Sequence, residues 1–219
     1  MEESNSSDHL HSSLTDLMTS LMVIFILLLL VFVHRTASKD AVVTDILLKK
    51  LRHDLIPQGF NEKTIRPDPR DRNAILVIVP DRLMNFESGK STLRPDGELF
   101  LKSYIPEFAK VLCSDEFRAS IESIVVEGHT DMHPYVGRSA DESQNLNLKL
   151  SQDRSMEVVK KTLSNLTGMG LERGCFLEKL SASGRGEQEQ EATPEESRRV
   201  ILKIRVKASD LDRVKVSVQ

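Results

Sequence analysis

The sequence predicts an α/β (α+β) domain, a mixed sheet with helices on one face, preceded by a single N-terminal transmembrane helix. Three observations predict it. Residues 14–33 are apolar with few breaks, and about 20 helical residues span roughly 30 Å, the hydrocarbon thickness of a bilayer. Beyond residue 73, short β-branched runs alternate with stretches whose apolar residues recur every three to four positions. Helical segments lying between strands must bury their apolar stripes against the sheet those strands form.

The span opens with Leu14, Thr15, Asp16, Leu17, Met18, Thr19 and Ser20, and residues 23–33 are apolar without interruption. A carboxylate at a membrane boundary is expensive unless it has a partner or a task. Helical spacing puts Asp16, Thr19 and Ser20 on one face, with Leu, Met, Ile and Phe around the rest. Asp16 is either an N-cap of the helix or an ion-carrying acid. Only the second reading also gives a use to the polar stripe behind it.

The 219 residues suffice for one modest domain and an anchor. A net charge of −3 argues against a nucleic-acid footprint. With no Trp and two Tyr, the chain lacks the aromatic residues of a membrane-interface belt. Residues 1–13 form a polar, slightly acidic tail, and no Lys or Arg precedes Arg35. That composition fits an uncleaved anchor, not a signal peptide. Arg35, Lys39, Lys49, Lys50 and Arg52 follow the span, so the positive-inside rule would place the C-terminal domain in the cytoplasm.

Residues 36–72 read as a juxtamembrane helix and linker. Val43, Ile46, Leu47, Leu51 and Leu55 give the helix its stripe, which packs on the domain or on a second copy of itself. Residues 60–72, with Pro67 and Pro69, are a linker or a hairpin. The domain proper is expected over 73–208, with a tail over 209–219. Residues 74–79 make a buried strand ended by Pro80. Leu101, Ile105, Phe108 and Leu112 face the core from a helix that Pro106 is expected to kink or split. Residues 121–127 are the second strand. A helix then opens at Leu150 with Ser151 as its N-cap, burying Met156, Val159, Leu163 and Leu166. Strands over 179–183 and 200–206 complete the sheet, separated by an acidic surface loop. Cys113 and Cys175 are either oxidised, if the compartment allows, or a pair of buried free thiols.

No P-loop, activated nucleophile or acid pair spaced for hydrolysis is present, so no enzyme activity is expected. Gly184 and Gly186 are too closely spaced for a dinucleotide fingerprint. His129, Asp131 and His133 alternate as metal ligands on a strand would, but no fourth ligand accompanies them, and no metal or cofactor is expected.

The run Thr15-Asp-Leu-Met-Thr-Ser-Leu-Met-Val-Ile-Phe25 resembles the transmembrane signature of the B subunits of rotary ion-driven stators, the MotB class, with its TolR/ExbD and ZorB relatives. The resemblance implies that Asp16 binds and releases the driving ion, a proton or sodium, with Thr19 and Ser20 beside it. It also implies a self-dimer within a ring of multi-span MotA-like or ZorA-like subunits (five A to two B), an inner-membrane location, a cytoplasmic N-terminus and a periplasmic domain. That last implication opposes the charge bias. Because no long tether follows the span, the layout is most like ZorB of the Zorya anti-phage defence system. A flagellar MotB-like subunit and a passive membrane-to-wall tether are the alternatives.

In the soluble part, Phe86-Glu-Ser-Gly, then Leu93-x-Pro-x-Gly97, Gly128-His-Thr-Asp131, Asn147-x-x-Leu-Ser-x-x-Arg154, Gly184-x-Gly-Glu187 and Arg198-Arg-Val200 resemble, in this order, an OmpA-like peptidoglycan-binding domain. The resemblance implies that Asp131 and Arg154 clamp the zwitterionic end of a diaminopimelate residue, assisted by Thr130, Asn147 and Arg198. The chemistry is coherent, since an ammonium beside carboxylates requires an acid and a planar, bidentate base at fixed separation. Arg154 is expected near a helix N-terminus, whose dipole also favours anions. Two departures stand out. The segment around His133 is longer than the family spacing, and Ser197 replaces the family's Asn before the Arg pair.

Overall fold

The β-branched run centred on residues 74–79 and its counterpart at 200–206 pair as the middle of a five-stranded mixed sheet. The structure, a computed structural model, describes residues 4–87 and 89–207, with side chains from 15–32 and from 43–207 apart from 58 and 88. The chain divides into two units, Met1–Lys39 and Asp40–Gln219. The expected tail at 209–219 lies outside the described residues. Residues 4–13, expected as a tail, are the first turns of α1 (Ser4–Leu55), so Asp16 lies inside the helix and is not its N-cap. In the first unit Thr15–Phe32 has a mean hydropathy of 2.4 and all its side chains are exposed, and it is long and apolar enough to cross a membrane.

The second unit holds β1 (Ile65–Asp68), β2 (Asp71–Pro80), α2 (Asp81–Met84), α3 (Pro95–Leu112), β3 (Ile121–His129), α4 (Ala140–Asn165), α5 (Gly170–Lys179), β4 (Leu180–Gly186), α6 (Pro194–Ser197) and β5 (Arg199–Val206). The sheet order is β1-β2-β5-β3-β4. Every pairing is antiparallel except β3 with β4, the parallel pair that α4 and α5 connect. Val77, Val79, Ile124, Val126, Leu202 and Ile204 project to one face and join α3 in the core. This confirms the mixed sheet with helices on one face.

Of the segment expected as juxtamembrane helix and linker, residues 40–72 belong to this unit. Leu47, Leu51 and Leu55 are completely buried, so the stripe of this helix packs on the domain. Of the two readings for 60–72, the hairpin is observed, with Ile65 paired to Val77 and Pro67 to Ile75. The proline-rich stretch sits on the edge strand β1, where a missing N–H is tolerated.

Pro106 neither ends nor splits α3, which continues to Leu112. The expected break costs about 3 kcal/mol. It is outweighed by burial of Leu101, Ile105 and Phe108, all inaccessible to solvent, each contributing roughly 1.5–3 kcal/mol. Gly97 lies where the first turn of α3 meets α2, and a Cβ there would stand 1.8 Å from the Met84 carbonyl oxygen. That contact accounts for the glycine of the Leu-x-Pro-x-Gly motif.

Cys113 and Cys175 form a disulfide across a sequence separation of 62, tying the end of α3 to α5. In the chain-entropy account a loop of this size stabilises the fold by about 4 kcal/mol. Helix α5 was not foreseen. Its only buried side chains are Cys175 and Phe176, too few to give a recognisable period.

Candidate functional site

Helix α4 positions the site, and it begins earlier than the sequence pattern suggests. Ser139 is its N-cap, with a complete capping box. The Ser139 Oγ accepts from Glu142 N at 3.2 Å, and the Glu142 Oε2 accepts from Ser139 N at 2.9 Å. Ser151 and Arg154 are therefore in mid-helix, and the helix dipole contributes nothing to Arg154. The buried face is also different from the expected stripe. Ser151, Ser155, Val158 and Thr162 are inside, and of the expected stripe Leu166 is buried, whereas Met156 is exposed and Val159 and Leu163 are only partly covered. Small residues are required because α4 lies close on the sheet. A Cβ on Gly128 would come within 2.1 Å of Ser151 O. Gly186 N donates to Ser151 Oγ at 2.8 Å. The Gly-His-Thr-Asp and Gly-x-Gly motifs are thus packing devices that bring α4 against β3 and β4, with Asp131 and Arg154 on one pocket.

That pocket is an open cavity of about 760 Å³. Asp131 and Thr130 form one wall at the end of β3, and Asn147, Leu150 and Arg154 of α4 form another. Phe86 of the Phe-Glu-Ser-Gly motif closes a third side with Asp81 and Arg94, two residues outside every motif position named above. The lengthened segment supplies His133, Tyr135 and Val136 to the rim.

Asp131 and Arg154 do not pair with each other. Asp131 Oδ2 accepts from Arg198 Nη1 at 2.6 Å, and its Oδ1 accepts from His133 N at 3.3 Å. Arg198 is surrounded by acid, with Asp81 at 3.6 Å and Glu195 at 3.3 Å besides Asp131. The hydrogen bond to Asp131 raises the pKa of Arg198, against the effect of its partial burial. Arg198 therefore orients the acid and has little capacity left for a ligand.

Arg154 is 5% exposed, and among the described residues no carboxylate lies within 4.0 Å of its guanidinium. Its Nε donates to Lys90 O at 3.0 Å, and its Cζ stands 4.8 Å above the centre of the Phe86 ring. Burial lowers its pKa, opposed by the fields of Asp81 and Asp131. A buried, unpaired guanidinium is costly and is a mark of a binding site.

Asn147 is buried, and its Nδ2 donates to Glu187 Oε1 at 2.8 Å and to His133 O at 3.3 Å. It ties two loops to α4, and its amide hydrogens are already used. Thr130 lines the pocket, and its Oγ1 has no hydrogen-bond partner among the described residues.

The metal-like triplet does not converge. The His129 side chain is fully buried and bonds Gln188 O through Nδ1 at 3.1 Å, whereas the His133 side chain is 76% exposed.

On the face of the sheet away from the helices, Glu127 is 6% exposed. Burial alone would raise its carboxyl pKa. His129, 3.9 Å away, and Arg185, donating at 2.8 Å, outweigh burial and lower it to about 2. A depressed carboxyl pKa gives stability that is complete above the unfolded value of about 4.5 and is lost as pH falls through 2. Denaturant melts from pH 5 to 2 are expected to lose up to about 3 kcal/mol from this group. The Glu127→Gln variant starts less stable and shows a flatter profile over that window. A variant with the wild-type slope would show that Glu127 is not the group responsible.

In the first unit, Ser20 Oγ donates to Asp16 O at 2.8 Å, and Thr19 Oγ1 lies 2.9 Å from Asp16 O and 3.0 Å from Thr15 O. Both hydroxyl protons are engaged within the helix, leaving oxygen lone pairs on the stripe that also carries the exposed Asp16 carboxylate.

No protein-family model and no curated protein sequence matches this chain. Solved structures do. A MotB-like protein from Desulfovibrio vulgaris aligns at 19% identity and a TM-score of 0.55, over 78% of this chain and 99% of that one. The periplasmic domain of Helicobacter pylori MotB aligns at 19% identity over 66% and 90% of the two chains, with a TM-score of 0.47. The cell wall anchor of the Pseudomonas aeruginosa type VI secretion system aligns at 21% over 73% and 97%, with a TM-score of 0.46. The Desulfovibrio likeness establishes the fold class, the mixed α/β architecture of a MotB-like protein.

Proposed function

We propose that this chain is the B subunit of an inner-membrane, proton-driven rotary stator-like motor anchored to peptidoglycan, acting in Zorya-type anti-phage defence with a ZorA-like, multi-span partner. The observation that carries the wall-binding half is the pocket itself. It holds a buried, unpaired Arg154 and, separately, an Asp131 oriented by Arg198. Such a site suits a ligand with an ammonium at one end and a carboxylate at the other, as diaminopimelate presents. The motor half rests on Asp16 and its stripe at the start of a membrane-length helix. Two copies of that helix would present their acids to the surrounding ring, each carboxyl gaining and releasing a proton in a partly desolvated site. The chain works as an ion-translocating subunit, not an enzyme, and needs no cofactor beyond the driving ion. The compact layout supports the Zorya assignment, since residues 43–68 are used in the core and the sheet.

The disulfide supports a periplasmic domain. Such bonds persist in oxidising compartments and are rare in the cytosol, which counters the positive-inside bias. A passive wall tether is the second reading, and the hydroxyls of Thr19 and Ser20, satisfied by their own helix, favour it.

Membranes holding the full chain and its multi-span neighbour test the proposal. The complex is expected to sediment with purified sacculi and to conduct protons into vesicles. Retention on sacculi without conduction would leave the tether. Conduction without retention would remove the wall-anchoring half, and neither would sink both readings.

A further inference from the structure

The unpaired state of Arg154 needs an explanation. Asp81 and Asp131 border the same cavity and both attract its guanidinium. An ion pair with either would stabilise the empty site and block a carboxylate ligand. Two contacts hold the guanidinium away. Lys90 O accepts from its Nε at 3.0 Å, and the Phe86 ring lies under its Cζ at 4.8 Å. The ring is itself fixed, since Phe86 is 7% exposed and its backbone bridges Leu93. An aromatic face compensates part of the charge without occupying a hydrogen-bond donor. Nε is used by Lys90 O, and the terminal nitrogens are left for a planar acceptor.

We infer that Phe86 is a positioning residue, whose ring holds Arg154 out of ion pairs with Asp81 and Asp131 and so makes the pocket selective for a free carboxylate over its amide. The selectivity rests on the wall-binding reading, whereas the positioning of Arg154 stands without it.

The test uses the full chain in nanodiscs, as wild type, Phe86→Leu and Phe86→Tyr. Two ligands are titrated, a stem tripeptide ending in diaminopimelate and the same peptide with the diaminopimelate carboxylate amidated. In parallel, the Arg154 Nε–Hε resonance is followed by NMR in ¹⁵N-arginine-labelled protein. The wild type is expected to prefer the free carboxylate. Phe86→Leu loses about five- to tenfold in affinity for it, the worth of roughly 1 kcal/mol of cation–π contact, and little for the amide. Its Nε–Hε resonance loses its ring-current shift and exchanges faster. Phe86→Tyr retains both properties.

Equal weakening toward both ligands, or an unmoved Arg154 resonance in Phe86→Leu, overturns the proposal. A wild type that binds neither peptide removes the wall-binding reading and the selectivity with it. The resonance then decides the positioning alone.

Discussion

Asp16→Asn is expected to abolish ion flux and biological activity while leaving assembly intact. Asparagine has the shape of aspartate and stays polar, and position 16 lies inside α1, so the local helix should survive the change. It cannot gain and lose a proton near neutral pH. Removing a carboxylate from a membrane boundary also relieves part of its desolvation cost, so the complex should form at least as well as the wild type. The measurement is proton flux in vesicles containing the full chain and its multi-span partner, normalised to the complex recovered by pull-down. The neighbouring positions sharpen the result. Because the Thr19 and Ser20 hydroxyls donate to Asp16 O, Thr19→Val and Ser20→Ala remove only oxygen lone pairs from the stripe. They should slow transport without ending it. Flux in Asp16→Asn equal to that of the wild type would leave Asp16 without a role in transport and reduce the protein to a tether.

The fold and the site were legible in the sequence to different depths. The strands show because β-branched runs bounded by Pro80 or by Gly128 have few alternatives, and the ordered motifs group Asp131 with Arg154. The start of α4 did not show. Its signal, Ser139 followed by Glu142, lies within a polar stretch that lacks apolar periodicity, because the helix packs on the sheet through serines and a threonine. The same polarity misassigned Met156 to the core. Pairing among the charges was illegible for another reason. Arg198 reaches Asp81, Asp131 and Glu195, and only the fold brings Asp81 next to a residue so distant in sequence. Phe86 read as part of a turn motif, and its position under a guanidinium is a fact of tertiary structure alone.

Arg154→Ala is expected to cost roughly 100-fold in affinity for diaminopimelate-containing peptide, about 3 kcal/mol, the worth of two charge-assisted hydrogen bonds lost together. Arg154→Lys should recover little, because an ammonium is not planar and cannot bind both carboxylate oxygens while also reaching Lys90 O. Asp131→Asn should weaken the ammonium end by a comparable amount and leave Arg198 with Asp81 and Glu195. A double-mutant cycle separates a ligand clamp from a structural ion pair. If Asp131 and Arg154 serve the two ends of a ligand, their coupling in stability, measured by urea melts of the free protein, is close to zero. Their binding losses must then be carried by the ligand. A native ion pair would instead show a coupling of 0.5 kcal/mol or more in the free protein, and binding would change little when both are replaced. Since Arg198 already satisfies Asp131 at 2.6 Å, removing Arg154 exposes no unpaired acid. The Arg154→Ala protein should therefore be as stable as the wild type or more so, having lost a buried charge without a partner.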